Sequence, residues 1–349
     1  MLTFDVAMPI TLFLVTLASL LLSKRVEGKL KSTLEEREFR TRDSILLVSL
    51  IAAAVSIVAF VPQMALLALF MFSYVSLLFT FSYLFSGVNK KRALIFISIF
   101  FVASLIVGTV ALLSHFKDNF AFYGGFTAYG LALFASAALM LELGKTRQSG
   151  RWYLAVLPPA LFLIVFFVFS PTPIWFPYLF DAFGILFAVL ITLYLSSLFT
   201  WKTTFIFAAL ITIMDFTLVL VIPVIPAAAS QISNLGLPVL IYIPIIPPIF
   251  SGRAIFFGLQ PLALGVGDFF FAGTLATQTY KKFGRRIAII SAVTMSVAFG
   301  VFEILLLNID FSAFPGTLMI ILGWVPVVAW KIVSERKKAK NNVNVGTKI

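Results

Sequence analysis

The chain has 349 residues, of which 61% are hydrophobic and 11% are charged, and its mean hydropathy is +1.08. This composition excludes a soluble globular protein and predicts an all-α membrane protein that crosses the bilayer several times. Cysteine is absent, which excludes disulfides, thiolate nucleophiles and thiolate metal sites. The net charge of +12 is compatible with a nucleic-acid or anionic-lipid partner, and its distribution along the chain decides between such interpretations.

A bilayer core needs about 20 apolar residues per helix. On this rule the sequence predicts eleven spans, and we expect the first to be a membrane helix and not a removable signal peptide. Residues 1–92 form N-terminal helices, 93–199 the first part of a core bundle, 203–331 the remaining helices and 332–349 a polar tail. The spans are 6–23, 44–61, 64–86, 93–114, 122–141, 152–170, 177–199, 203–222, 262–280, 286–307 and 313–331.

The basic residues collect on one side of the predicted membrane. If the spans alternate in direction, Lys117 and Arg253 are the exceptions among the 26 Lys and Arg residues. By the positive-inside rule the basic side is cytoplasmic, so the N-terminus lies outside and the C-terminus in the cytoplasm, across the cell membrane in a prokaryote. The positive charge is thus explained by topology and by contact with anionic lipid, and no nucleic-acid partner is expected.

A long outer connector, residues 223–261, separates the eighth and ninth spans. Its seven prolines forbid a continuous helix, although the segment is too apolar to extend freely into water. One interpretation is a hydrophobic loop at the interface. The other makes "LPVLIYIP" an extended edge with which a substrate strand pairs.

Three acids fall well inside predicted spans: Asp215 in "IMDF", Asp268 in "GVGD" and Glu303 in "VFEI". Ionisable groups at membrane depth are costly and are therefore candidates for function. Glu303 lies near the outer end of its span, which favours a side chain that reaches to the interface or bonds to its own helix.

Asp215 and Asp268 lie at the same predicted depth. Asp215 is twelve residues from Thr203, the cytoplasmic start of its span, and Asp268 is twelve residues from Tyr280, the cytoplasmic end of the next span. At 1.5 Å per residue, each carboxyl is about 18 Å from the inner boundary. The two spans are consecutive and antiparallel, so packing side by side brings the carboxyls within reach of each other.

Two carboxyls held this close share one proton, and then one acts as general base on a water while the other acts as general acid on a carbonyl oxygen. This is the chemistry of an aspartic protease. Gly265 and Gly267 leave room beside Asp268 for a water and a peptide. Close packing of helices explains the same glycines equally well.

At these residues the sequence resembles the presenilin and signal peptide peptidase family of intramembrane aspartyl proteases. That family has Tyr-Asp in one helix, Gly-x-Gly-Asp in the next, and Pro-Ala-Leu at the start of the last of nine helices. The resemblance covers residues 203–331. The corresponding residues here are Met214 and Asp215, then "GVGD" ending in Asp268, then Pro315, with Gly316 and Thr317 in place of Ala and Leu.

The resemblance implies a helical bundle of nine core helices, with two further spans at the N-terminal end if all eleven cross the membrane. It implies an intramembrane aspartic endopeptidase with Asp215 and Asp268 as catalytic residues and with no metal or cofactor. The residues implied to shape the active site are Gly265, Gly267, Met214, Pro315, Gly316, Thr317 and Leu318.

The predicted orientation is that of the signal peptide peptidase branch. By this resemblance the substrates are single membrane helices with a cytoplasmic N-terminus, such as leftover signal peptides and type II anchors. A helical substrate must unwind before its carbonyl can be attacked. The connector, or residues 257–264 before "GVGD", is the expected place for the unwound strand.

The residues of other intramembrane protease classes are not found in the sequence in the required positions. A serine-type intramembrane protease needs a histidine in the bilayer, but the single His115 lies in a predicted outer loop, and the HExxH motif of zinc proteases is absent. The alternative is a transporter or channel in which Asp215 and Asp268 bind a proton or cation. Such carriers often contain inverted repeats, but nothing in residues 1–170 repeats "MDF" or "GVGD".

Overall fold

The computed structural model describes residues 4–33, 38–58, 60–113, 119–144, 151–222, 224–248, 261–309 and 314–346, so that His115, Lys117 and Arg253 lie outside the described residues. The elements are α1 (Ala7–Thr33), α2 (Thr41–Ile57), α3 (Gln63–Leu84), α4 (Lys90–Leu113), α5 (Asn119–Gly144), α6 (Tyr153–Phe169), α7 (Phe180–Leu198), α8 (Trp201–Phe216), α9 (Val224–Asn234), β1 (Leu240–Pro244), β2 (Pro261–Gly265), α10 (Val266–Phe283), α11 (Arg285–Asn308) and α12 (Gly316–Gly346). A kinked turn at Trp175–Leu179 precedes α7, and a π-helical turn at Thr217–Val221 follows α8.

The prediction of a helical multi-pass membrane protein is confirmed. Within the described residues, eight helices are long and apolar enough to cross a membrane. They are Ala7–Leu30, Gln63–Leu84, Lys90–Leu113, Phe122–Gly144, Trp175–Leu198, Trp201–Val221, Arg285–Asn308 and Gly316–Lys337. Two of the other predicted spans correspond to α2 and α6, which have only 17 residues each.

The prediction of a continuous helix over 262–280 is wrong. Residues Pro261–Gly265 form β2, which pairs antiparallel with β1, and the helix begins only at Val266. Pairing with β1 satisfies backbone groups that a helix would otherwise satisfy, and the proline and glycine at the two ends of β2 both disfavour a helix interior. Asp268 therefore lies in the first turn of α10 and not in the middle of a helix.

One compact unit contains described residues within 1–60, 184–233 and 238–349, and α10 lies at its centre. α10 packs against α1, α8, α11 and α12, and every residue from Phe269 to Thr279 is buried. α10 contains Asp268, three threonines and Gln278, and it is not among the eight helices that are long and apolar enough to cross a membrane. A helix surrounded by protein tolerates polar side chains that the bilayer would not, and Gln278 and Thr279 have hydrogen-bond partners on α7 and α12.

The C-terminal half of α10 is held by hydrogen bonds to its neighbours. Gln278 Nε2 and Lys281 Nζ both donate to the carbonyl oxygen of Ser196 at the end of α7, at 2.7 and 3.0 Å. Lys281 also pairs with Glu27 of α1 at 3.0 Å. These contacts secure the helix that carries Asp268.

The second compact unit contains described residues within 61–183 together with 234–237, and its helices α3, α4, α5 and α6 pack on one another. Arg151, which the sequence places in a cytoplasmic loop, is buried and pairs with Glu142 at 2.7 Å. The guanidinium also donates to the carbonyl oxygen of Val88, and the Tyr153 hydroxyl donates to Glu142. A buried charge pair of this kind needs its full set of partners, and here it joins the ends of α5 and α6 to the segment before α4.

The interpretation of Glu303 as a side chain that reaches the interface or bonds to its helix is wrong. Its side chain is 1% exposed, and neither carboxyl oxygen has a hydrogen-bond partner within the described part of the chain. A Cβ on Gly300 of α11 would lie 3.0 Å from Cγ of Pro9 in α1, which shows that the start of α1 packs closely against α11. This close packing leaves Glu303 no route to water.

Candidate active site

Asp215 lies at the end of α8. This helix begins with a cap, in which the Thr200 hydroxyl oxygen accepts a hydrogen bond from the backbone N–H of Thr203 at 3.3 Å. Asp215 is only 8% exposed, and Met214 beside it is partly buried against the core. The backbone changes to the π-helical turn two residues after Asp215, so the carboxyl lies where the regular α-helix ends.

Asp268 lies in the first turn of α10, directly after β2, and is partly exposed. The backbone of Gly265 hydrogen-bonds to its carboxyl. A Cβ on Gly265 would lie 2.9 Å from Asp268 Oδ2, which is closer than a side chain tolerates. The strand end and the helix start together hold the carboxyl, and the free N–H groups of a first helical turn favour a negative charge there.

The start of α12 touches both aspartates. The Thr317 hydroxyl donates to Asp215 Oδ2 at 2.6 Å, and its backbone N–H donates to the same oxygen at 3.3 Å. A Cβ on Gly316 would lie 2.5 Å from Asp268 Oδ1. Pro315 is buried and Leu318, whose N–H donates to the Pro315 carbonyl oxygen, is partly buried. Residues 316 and 317 thus bring the two carboxyls to one place.

The Asp268 and Asp215 carboxyls contact two adjacent residues of α12, Gly316 and Thr317, so they lie beside each other. Neither forms an ion pair with a described Lys or Arg residue. Two adjacent carboxyls without a cation are most stable when one proton is shared between them, so that the pair carries one negative charge. The helix starts of α10 and α12 both favour that charge.

Gly267, which precedes Asp268 in the chain, stands at an open position. This residue is exposed, and no heavy atom lies within 4 Å of the position that its Cβ would occupy. Gly265 and Gly316, by contrast, are in close contact with the Asp268 carboxyl. Two of the three glycines therefore admit the Asp268 carboxyl itself, and the third, Gly267, stands at an open position of the first turn of α10.

The β-pair next to Asp268 is held in place by Asp5, which sequence reasoning missed. Asp5 Oδ1 accepts a hydrogen bond from the backbone N–H of Ile246 at 2.7 Å, two residues after β1. The same carboxyl caps α1 by accepting from the N–H groups of Ala7 and Met8. An aspartate two residues before an apolar helix is a recognisable capping signal, but the link to Ile246, 241 residues away, is not visible in the sequence.

No group of three or more His, Cys, Asp and Glu side chains within the described residues is arranged to hold a metal ion. A comparison of the chain with models of protein families finds no match, and a comparison with curated proteins finds none either.

Proposed function

We propose that the protein is an intramembrane aspartic endopeptidase with Asp215 and Asp268 as its catalytic residues. The observation that carries this proposal is the start of α12, where Thr317 binds the Asp215 carboxyl and Gly316 lies against the Asp268 carboxyl. The sequence motifs at these residues resemble those of the presenilin and signal peptide peptidase family. We propose that the helical bundle contains the nine core helices of that family.

The reaction needs one proton on the pair and one water. One carboxylate takes a proton from the water, and the water oxygen attacks the scissile carbonyl carbon. The other carboxyl gives its proton to the carbonyl oxygen. The diol collapses when the carboxyl that took the water's proton gives it to the amide nitrogen, the other carboxylate takes a proton from a diol hydroxyl, and the C–N bond breaks. The products are a carboxylic acid and an amine, which exchange a proton to become a carboxylate and an ammonium group, and the pair regains its single shared proton.

The direct test is cleavage of labelled transmembrane peptides by the purified full chain in lipid nanodiscs, in water enriched in oxygen-18. We expect new termini inside the apolar stretch of the peptide, with the heavy oxygen in the new carboxyl group. Cleavage of none of a broad panel would overturn the proposal, and so would products that lack the heavy oxygen.

The outer edge of β2 is the proposed place for the unwound substrate. The Val266 N–H donates to the Val239 carbonyl oxygen, so these two residues form a hydrogen-bonded pair. Ala263, which the register pairs with Tyr242, is three positions away from Val266. Hydrogen-bonded and non-hydrogen-bonded pairs alternate along antiparallel strands, so the N–H and C=O groups of Ala263 point away from β1. Ala263 is also exposed, so its backbone is free to pair with an added strand.

This placement predicts the effect of a single proline. Ala263→Pro removes the outward N–H but keeps the hydrogen bonds to β1, so we expect kcat/KM to fall roughly tenfold, as for the loss of one backbone hydrogen bond. The matched control is Ala263→Val, which keeps the N–H and suits a strand. Equal kcat/KM for the two variants would reject the β2 edge as the substrate site.

The substrate class follows from the proposed orientation. With the basic loops in the cytoplasm, the β-pair lies towards the outer side, and substrates are single helices with a cytoplasmic N-terminus, as in signal peptides and type II anchors. The test reconstitutes the protein with one peptide inserted in either of the two orientations. We expect faster cleavage of the peptide in the type II orientation.

A further inference from the structure

Thr317 gives Asp215 two hydrogen bonds on one oxygen. Its hydroxyl and its backbone N–H both donate to Oδ2, and the shorter of these contacts, from the hydroxyl, is 2.6 Å. Both groups are buried, with Thr317 5% and Asp215 8% exposed. A hydrogen bond to a carboxylate away from water is among the strong ones in a protein, so this contact restrains the carboxyl.

The direction of the hydroxyl is unusual for a residue at a helix start. There a threonine commonly accepts a hydrogen bond from its own helix, as Thr200 does at the start of α8. The Thr317 hydroxyl instead reaches across to α8. The first turn of α12 therefore directs two donors at the Asp215 carboxyl: the Thr317 hydroxyl and the Thr317 backbone N–H, which as a first-turn group has no acceptor within its own helix.

We infer that Thr317 is a positioning residue of the active site: its hydroxyl holds Asp215 by Oδ2 and so leaves Oδ1 for the proton shared with Asp268 and for the attacking water. This inference rests on the proposed protease function and gives a specific role to Thr317, which the resemblance implies only to shape the site. The motif that the sequence resembles has leucine at this position, and leucine has no donor.

The donor stands on a well-supported helix. A Cβ on Gly323 would lie 2.6 Å from Met295 Cα, so the backbones of α11 and α12 are in close contact. One residue further, Trp324 Nε1 donates to Thr279 Oγ1 of α10 at 2.8 Å. A group placed by packed helices keeps its geometry, and a misplacement of about 1 Å near reacting atoms costs roughly a hundredfold in rate.

The test compares Thr317→Val with Thr317→Ser in peptide cleavage by the purified full chain. Valine keeps the shape and lacks the hydroxyl, so we expect kcat to fall roughly 10- to 100-fold with KM within about threefold of the native value. Serine keeps the donor and is expected to restore kcat to within about threefold of native. Thermal unfolding checks that each variant folds, and Thr317→Ala replaces the valine variant if that one does not.

A second readout is independent of turnover. A peptide with a hydroxyethylene group in place of the scissile bond offers a hydroxyl to the aspartate pair, and we expect Thr317→Val to weaken its binding about tenfold. Binding of a matched peptide without that hydroxyl is expected to stay unchanged. Weaker binding of both peptides would overturn the inference, because it would indicate a general structural role.

The outcomes separate the two proposals. Native kcat in Thr317→Val, with cleavage still abolished by Asp215→Asn and Asp268→Asn, rejects the role of Thr317 and leaves the protease proposal standing. Absence of cleavage by the native chain, or cleavage that survives both asparagine substitutions, rejects the protease proposal itself.

Discussion

Asp268→Asn is expected to lower kcat for cleavage of a transmembrane peptide by about a thousandfold or more, and Asp215→Asn to do the same. Asparagine has almost the shape of aspartate, but it cannot take up or release the proton that the reaction moves. The asparagine carbonyl oxygen at position 215 still accepts the hydrogen bonds of Thr317, so the side chain keeps its place. Neither variant adds a buried charge, and both are expected to unfold near the native temperature.

The control for these substitutions is Glu303→Gln. Glu303 is a third acid buried in the same compact unit, and no step of the proposed reaction uses it. Full cleavage is therefore expected in this variant, as measured by product formation over time. If Asp268→Asn cleaves at the native rate, or if Glu303→Gln folds and is as inactive as the aspartate variants, the assignment of the pair is wrong.

Gly316→Ala is expected to lower kcat roughly a hundredfold. The added Cβ would lie 2.5 Å from Asp268 Oδ1, 2.7 Å from its Cγ and 3.0 Å from Oδ2, so the carboxyl has to move by more than half an ångström. A displacement near 1 Å at a reacting group costs about 10²-fold in rate. Alanine stands at this position in the motif that the sequence resembles, so the sequence alone predicts that alanine is tolerated, whereas the contact with Asp268 predicts that it is not.

The matched control is Gly130→Ala in α5, where nothing lies within 4 Å of the added Cβ. There the change removes a glycine from an exposed helix interior and is expected to leave kcat unchanged. Steady-state cleavage rates of the two variants, with thermal unfolding as a check, settle the matter. Native kcat in Gly316→Ala would show that Asp268 does not depend on the close approach of Gly316.

The aspartate pair could be predicted from the sequence because it depends on quantities that a sequence contains. The depth of each acid follows from the length of its span and the rise per residue, and the antiparallel order of the spans follows from their sequence. The structure brings Asp215 and Asp268 against adjacent residues at the start of α12. Their catalytic role remains a prediction.

The third motif was only partly predictable. The sequence identified Pro315 to Leu318 as a segment that shapes the site, but two of its residues depart from the motif that it resembles. That Thr317 donates to Asp215 and that Gly316 lies against Asp268 depends on how α12 packs beside α8 and α10. Such contacts join residues about 50 and 100 positions apart, and no local pattern encodes them.

The start of α10 was not predictable from periodicity. The run "PLALGV" is apolar without a clear period, so a helix and a buried strand fit it equally well. Pairing of Leu262 and Leu264 with Ile243 and Ile241 decides for a strand. Glu303 shows the same limit, since its place near a helix end suggested exposure and only the packing of α1 against α11 buries it.

The most direct test of the central claim is one preparation with two readouts. The native chain, Asp215→Asn and Asp268→Asn are reconstituted in liposomes, and both peptide cleavage and proton or cation flux are measured. The account predicts cleavage by the native chain alone and no flux that depends on the aspartates. Intact peptides together with a flux that either substitution abolishes would contradict it and would identify the pair as the ion site of a carrier.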